Sequence, residues 1–451
     1  MDILVMVGQL MLSLSILIVL HEMGHFFPAK WFKTRVEKFY LFFDPWFSLF
    51  KVKKGETEYG IGWLPLGGYV KISGMIDESF DSEQMKQPPQ PWEFRSKPAW
   101  QRLIIMIGGV TVNFILGFVI YAFVLWTWGQ EYIPTKNIQY GVQPDSLGML
   151  LGIQRGDNVV ALDTMELEQF NPALVKSEII IHGANNLIVE RNGQRVKLPI
   201  SEEMAKALSA YENRGAVLYE PLIPFIVHDF LKNSPAKEAG LQIGDRIIAL
   251  NGEPTPFFND FFEKLTNPEK PETPVQVAVV RTDTTTQAVD TLEFSITTNE
   301  QGLIGVRPVP PIILFGSKRV EYTFAEAIPA GIKMGWKFLT DQVAAFGQMF
   351  TGKIAAKDSL GSFITIGSMF GNEWVWERFW KLTAALSLIL GFINLLPIPA
   401  LDGGHVMFLL WEVITGRKPS DKFMEIATMI GFVILIAIMI YALGLDISRL
   451  F

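Results

Sequence analysis

The sequence predicts a polytopic α-helical membrane protein with four transmembrane helices and two α+β modules carried outside the membrane. Three observations predict it: an apolar, charge-poor composition, four stretches of span length, and a polar middle segment that repeats itself. Of 451 residues, 49% are hydrophobic and 19% charged, and the mean hydropathy is +0.26. Low charge combined with positive hydropathy points to bilayer-embedded segments. A chain this apolar is not disordered as a whole. The net charge of −7 excludes the basic field that a nucleic-acid binder needs. There is no cysteine, which removes disulfide frameworks, thiol nucleophiles, thiolate zinc sites and iron–sulfur clusters. The five histidines leave a short list for any site built on imidazole.

The spans come first in chain order. One runs from Ile3 through Leu20 and on into His21–Phe27; the others are Arg102–Trp126, Lys381–Pro397 and Ile426–Leu445. Each approaches or meets the ~20 residues a helix needs to cross the hydrocarbon core. The first lacks the basic leader and small-residue cleavage site of a signal peptide. Lys30, Lys33, Arg35 and Lys38 follow the first span, Arg95, Lys97 and Arg102 lead into the second, and Arg417, Lys418 and Lys422 lie between the last two. The positive-inside rule places those loops in the cytoplasm, with both termini and the long middle segment outside. Arg378 and Lys381 run against that trend, softened by Glu373 and Glu377.

The middle segment carries a repeat. Gly152-Ile-Gln-Arg-Gly156-Asp157 followed by Asn-Val-Val-Ala-Leu returns as Gly240-Leu-Gln-Ile-Gly244-Asp245 followed by Arg-Ile-Ile-Ala-Leu. A Gly-x-x-x-Gly-Asp turn entering an alternating apolar run is a turn feeding a strand, and two copies mean two similar modules. The pattern resembles the PDZ domain. The second copy, with Ser234-Pro235-Ala236 before it and Asn251-Gly252 after it, matches well; in the first, Asp163-Thr164 replaces Asn251-Gly252. PDZ domains commonly take a peptide as an added strand, so a peptide or a substrate ectodomain is the expected partner here, against a bare spacer or steric filter. Pro221–Pro224 and Pro308–Pro311 mark the joints. Beyond them, Tyr322–Phe350 has the spacing of one or two amphipathic helices, lying at the membrane surface or packed on a neighbour.

Chemistry concentrates at His21-Glu22-Met23-Gly24-His25, at the inner end of the first span. Residues i and i+4 share a helix face, so both imidazoles reach one cation. Glu22, one step around, is placed to take a proton from a water that the cation acidifies and to pass it to a leaving amine. Ionisable groups at the end of an apolar helix are functional by default, against the alternative that they cap the helix at the interface. A catalytic zinc site usually has three protein ligands. The third candidate lies in Asn394-Leu-Leu-Pro397-Ile-Pro399-Ala-Leu-Asp402-Gly403-Gly404-His405, where prolines and glycines must break the helix. Broken helices at membrane depth line polar cavities. Asp402 is favoured as an oxygen ligand; His405 competes and otherwise reads as a supporting histidine. His182 and His228 read as ordinary packing or surface residues.

His21-Glu22-x-Gly24-His25 in a first span, with Leu401-Asp402-Gly403 near a later one and tandem PDZ-like modules between spans two and three, resembles the site-2 protease family of intramembrane zinc metalloproteases. The likeness covers essentially the whole chain. It implies Zn²⁺ held by His21, His25 and Asp402, with Glu22 as the base, in the bacterial cytoplasmic membrane with the active site toward the cytoplasm. It implies that Asn394, Pro397 and Pro399 shape the cleft and hold substrate. The stretch Tyr59–Ile72, read as a glycine-punctuated hairpin, resembles a membrane-dipping β-loop whose Gly67-Gly68 region pairs with unwound substrate. The implied substrate is the transmembrane segment of a single-span protein, such as an anti-sigma factor or a signal-peptide remnant, trimmed first on the outer side.

The expected organisation is 1–128 membrane core, 129–220 and 221–312 PDZ-like modules, 313–375 amphipathic linker and 376–451 C-terminal core. Rival readings are a non-catalytic PDZ scaffold and a membrane-anchored zincin acting on soluble protein. Departures from the family pattern are Gly108-Gly109 where Gly-Pro is usual, and Leu360-Gly361-Ser362 where Ser-Gly-Pro is common. A long loop over Phe32–Lys54 and a proline-rich Pro88–Pro91 stretch with an acidic lead-in are also expected.

Overall fold

A computed structural model describes residues 2–65, 67–75, 87–265, 272–282, 288–359 and 361–449. Leu360 and the acidic lead-in to Pro88 lie outside the described residues. The chain forms two compact units: Met1–Gly129 with Glu321–Phe346 and Ser359–Phe451, and Gln130–Val320 with Gly347–Asp358.

The first unit is built on helices. Among the described residues, four are long and apolar enough to cross a membrane: α1 (Asp2–Trp31), α2 (Ala99–Trp128), α5 (Trp376–Leu395) and α7 (Asp421–Ser448). Between them lie α3 (Phe324–Phe350), α4 (Phe363–Phe370) and α6 (Asp402–Thr415). Helix α1 continues to Trp31, so the His21–His25 motif lies inside the helix and not at its end. Helix α5 starts five residues before the expected span. Arg378 and Lys381 therefore fall in its opening turns and find local partners, the Glu373 carbonyl (2.6 Å) and the Glu377 carboxylate (2.5 Å). It stops at Leu395 because a residue followed by proline disfavours helical geometry, and Leu396 is extended.

Helix α2 is the hub on which α1, α5 and α6 pack. Gly24 and Gly108 meet backbone to backbone, and a Cβ on either would enter the other's carbonyl. Pro28 has no N–H to give the Gly24 carbonyl, so that oxygen is free to face Gly108. Polar side chains tie the bundle together among its apolar helices. Ser13 and Thr383 hydroxyls share a hydrogen bond of 2.9 Å, Ser387 donates to the Asn113 carbonyl (2.7 Å), and the Gln9 amide donates to the Gly371 carbonyl (3.2 Å). Each such bond contributes about 0.6 kcal/mol in a bilayer. Helix α3 is a single helix whose small residues Ala327, Gly331 and Gly335 face the bundle, against Ala122, Phe118 and Leu388. Asp446 of α7 caps α4, accepting from the backbone and hydroxyl of both Ser362 and Thr365.

A four-stranded sheet completes this unit: β1 (Val36–Leu41), β2 (Phe43–Lys54), β3 (Thr57–Leu64) and β4 (Tyr69–Ile72), in the order β2-β3-β1-β4. This corrects two expectations. Phe32–Lys54 is not a long loop, because it supplies β1 and β2. Tyr59–Ile72 is not a hairpin, because β1 inserts between β3 and β4, parallel to the first and antiparallel to the second. The physical reason is burial: Val36 and Tyr40 are fully buried, so β1 takes the middle of the sheet. The true hairpin joins β2 to β3 across Gly55-Glu56, with Gly55 at φ +65°. Glycines 60 and 62 leave room for the Tyr40 ring and the Phe43 carbonyl, respectively.

The second unit contains two modules with separate cores and the same sheet order. The first has β5 (Asn158–Leu162), β6 (Met165–Glu166), β7 (Asn186–Arg191) and β8 (Gln194–Pro199), in the order β6-β5-β7-β8. The second has β9 (Arg246–Leu250), β10 (Glu253–Pro254), β11 (Pro274–Thr282) and β12 (Val289–Thr297), in the order β10-β9-β11-β12. The repeated aspartate has the same task in each. Asp157 accepts two 2.7 Å bonds from Arg191 and one from the Gln154 N–H; Asp245 does the same with Arg281 and Gln242. Each arginine also donates to the first glycine of the repeat, Gly152 or Gly240. Asp163 and Asn251 occupy matching left-handed positions, φ +48° and +51°. Hydrogen bonds from the Asn186 side chain and the Asn185 N–H hold the Asp163 carboxyl below the usual carboxylate range.

Both repeat carboxylates are almost fully buried, so removing their charge strands an arginine. Asp157→Asn and Asp245→Asn are each expected to destabilise their own module by about 3 kcal/mol. Hydrogen exchange of β5 and β9 in the full-length protein measures this, and protection in the other module should stay unchanged.

Candidate metal centre

Two helices and a chain break converge to form the centre. On α1, His21 and His25 point to the same side, toward α2. Opposite them the chain leaves α5 at Leu395, runs irregularly to Leu401 and re-enters helix at Asp402, the first residue of α6. The reversal is tight. A Cβ on Gly403 would enter the Leu395 and Leu396 carbonyls, one on Gly404 would strike Pro399, and Ala400 sits at a strained φ of +97°. An ion pair of 2.5 Å between Arg102 of α2 and Glu412 fixes α6 in place.

The three side chains then form a nearly equilateral triangle. His21 Nε2 and His25 Nε2 are 3.4 Å apart, and Asp402 Oδ2 is 3.4 Å from the first and 3.3 Å from the second. Tetrahedral zinc with bonds of 2.0–2.1 Å sets its ligand atoms about 3.3 Å apart, so the spacing fits that ion. Asp402 Oδ2 is buried without a hydrogen-bond donor of good geometry, an acceptor oriented toward a cation.

The imidazoles are held from behind. His25 Nδ1 lies 2.9 Å from the Ile105 carbonyl, so it carries the proton and leaves Nε2 as the free lone pair. His21 Nδ1 lies 3.0 Å from the Asn113 amide, whose Oδ1 is buried and unpartnered. With that amide turned over, Oδ1 accepts from Nδ1–H and the His21 Nε2 lone pair is likewise released. Gly109 packs flat on both rings, where a Cβ would collide with His25 Nε2 and the His21 ring.

The other expected site residues divide. Glu22, Asn394, Gly67, Gly68, Asp402 and His405 line one cavity of about 910 Å³ together with both histidines. Asn394 Nδ2 is 3.4 Å from His21 Nε2. Gly68 lies against Ile18 and Glu22, so β4 runs along the same wall. Pro397 and Pro399 do not line that cavity. They shape the break, and the Pro399 carbonyl packs closely on Gly431 of α7. His405 is outside the three-residue ligand group, one turn beyond Asp402. His182 and His228 lie in the second unit. Asn113 and Gly109 were missed as site residues. The signal available was an asparagine within an apolar span, four residues after a glycine pair.

A largely buried His₂Asp group that could hold a metal ion, set among membrane-length helices, is the arrangement a membrane metallopeptidase requires. A family model described as Peptidase family M50 matches residues 9–438, and the chain belongs to that family. It is 28% identical to "Regulator of sigma E protease" of Haemophilus influenzae, over 98% of each chain. It is also 28% identical to "Protease RseP" of Yersinia pestis, over 100% of each. Relatives from Neisseria meningitidis and Thermotoga maritima, each 26% identical over 97% of this chain, carry the words zinc metalloprotease in their names.

Gly109→Ala is expected to abolish stoichiometric zinc in the purified protein, while Gly8→Ala, in open space on α1, leaves it intact. Asn113→Ala, which removes a support behind a ligand, should weaken zinc affinity about 10–100-fold. Elemental analysis and competition with a chelating dye read both.

Proposed function

We propose that this protein is a zinc metalloendopeptidase that cleaves a peptide bond within the transmembrane segment of a single-span membrane protein. The observation that carries this is the His21–His25–Asp402 triangle opening on the cavity that also holds Glu22. In this reading His21, His25 and Asp402 hold the ion. Bound there, zinc supplies Lewis acidity that polarises a carbonyl and acidifies water near neutral pH. Glu22 accepts the proton of the attacking water as its oxygen bonds to the carbonyl carbon. It then delivers that proton to the amide nitrogen as the C–N bond breaks. The Asn394 amide N–H is placed to donate to the carbonyl oxygen.

A helical substrate hides its carbonyls, so it must unwind first. Among the described residues, strand β4 is the sheet edge on the cavity wall and has one side without a strand partner, which suits an extended segment. Gly67 and Gly68 begin that wall. The duplicated modules of the second unit, read as PDZ domains, screen substrates for prior trimming or bind their cut ends. The positive-inside rule puts the metal centre toward the cytoplasm of a bacterial inner membrane, with the modules and both termini on the opposite side. By analogy with the sigma-regulating relatives, an anti-sigma factor or a signal-peptide remnant is the expected substrate.

Glu22→Gln should retain zinc and lose cleavage of a reconstituted single-span substrate by about 10²–10⁴-fold. Turnover at the original rate would remove Glu22 from the mechanism. Asn394→Ala should lower kcat by about 10²-fold, again with zinc retained. Purified protein that binds no zinc would favour a scaffold over an enzyme.

A further inference from the structure

Strand β2 has no role in the chemistry above, yet it carries an unusual surface. Trp46 is 90% exposed, and Phe47, Leu49, Phe50 and Val52 are exposed beside it. Lys51, Lys53 and Lys54 follow on the same strand, also exposed. The strand is the outer edge of its sheet, opposite β4.

Depth along α1 separates the two halves of β2. At one end of the sheet, Phe43 pairs with Leu64, and Gly68 touches Ile18 and Glu22, level with the metal centre. At the other end Lys54 pairs with Thr57, and neighbouring Glu56 lies 3.9 Å from Lys30. Residues 18–22 and residue 30 are about 12–18 Å apart along a helix. The aromatic half of β2 therefore sits at the depth of the metal ligands, and the lysine half at the end of α1 where its basic residues begin.

The edge is also built against pairing with another strand. Register shifts interrupt it at Phe43/Ser48 and Ser48/Phe50, Pro45 removes a donor, and Trp46 adopts φ +73°. A broken edge with exposed aromatics and a cationic end fits lipid better than a protein strand.

We infer that β2 is a docking surface for anionic phospholipid, with Trp46–Phe50 entering the acyl region and Lys51, Lys53 and Lys54 holding headgroup phosphates. The inference rests on the membrane reading above and names the lipid class that this sheet selects. It sets the depth of the sheet, and hence of β4, through headgroup charge as well as apolar burial.

The chain's lack of cysteine makes the test direct. Full-length Leu49→Cys protein, labelled with an NBD fluorophore, is reconstituted in nanodiscs of equimolar phosphatidylcholine and phosphatidylglycerol. A doxyl quencher is placed on one lipid or the other. Quenching by doxyl-phosphatidylglycerol should exceed that by doxyl-phosphatidylcholine at least about threefold. Adding Lys51→Gln, Lys53→Gln and Lys54→Gln should equalise the two while preserving the quenching itself. Equal quenching in the protein with all three lysines, or no quenching by either lipid, overturns the inference. So does energy transfer between labelled copies, which would make β2 a face for a second chain. The readout involves no proteolysis, so a lipid-selective but inactive protein refutes the peptidase reading alone.

Discussion

The centre of the first unit depends on one constraint: three candidate ligand atoms from opposite ends of the chain meet about 3.3 Å apart. Two of them cost little to arrange, since a single helix turn brings His21 and His25 together. The third requires a helix to end, reverse and restart within seven residues. Proline, glycine and a strained alanine all occur there, between Leu396 and Gly404. Helix α2 mediates between the two halves. Its glycines let α1 approach to backbone contact, its Ile105 carbonyl and Asn113 orient the rings, and its Arg102 holds α6.

Placing such a centre among apolar helices requires an account of every other polar group. The ion pair and capping bonds at helix ends, and the Ser13–Thr383 and Ser387–Asn113 contacts along the spans, satisfy many of them. Several buried side-chain atoms of this unit have no hydrogen-bond partner among the described residues, among them Gln9 Oε1, Arg378 Nε and Thr428 Oγ1; two of them, Asp402 Oδ2 and Asn113 Oδ1, lie at the candidate metal centre. The first faces the position a cation would take between the two imidazoles, and the second is one amide turn from accepting the His21 proton. At these two positions a bound cation and a choice of tautomer would satisfy the unpaired atoms.

How much of this was legible in the sequence depended on whether the signal was local. The His21–His25 pair follows from helical period, and the break before Asp402 from proline and glycine, so both were readable. The repeat Gly-Asp turns were readable too, but not their partners: Arg191 and Arg281 lie more than 30 residues downstream of their aspartates. The sheet was misread for a related reason. Gly67-Gly68 looks like a turn between Tyr59 and Ile72, while the parallel pairing of β1 with β3 has no local signature. Only the burial of Val36 and Tyr40 decides the order. Asn113 stands out as an asparagine within an apolar span, but its contact with His21, 92 residues away, is purely tertiary.

The topology that sequence could not supply has a mechanical consequence for the proposed chemistry. Strand β1 follows α1 in the chain and lies inside the sheet, and both β1 and β4 pack on α1. Strand β4 is bound to β1 on one side and pressed against Ile18 and Glu22 through Gly68, where no larger residue fits. The edge proposed to receive an extended segment and the carboxylate proposed to handle its proton therefore both lie on or against α1. A segment added to β4 meets the metal centre in a register set by backbone pairing, which carries little side-chain information. On that geometry, selectivity belongs to whatever admits and unwinds the substrate. The site itself determines where along the unwound stretch the bond is cut.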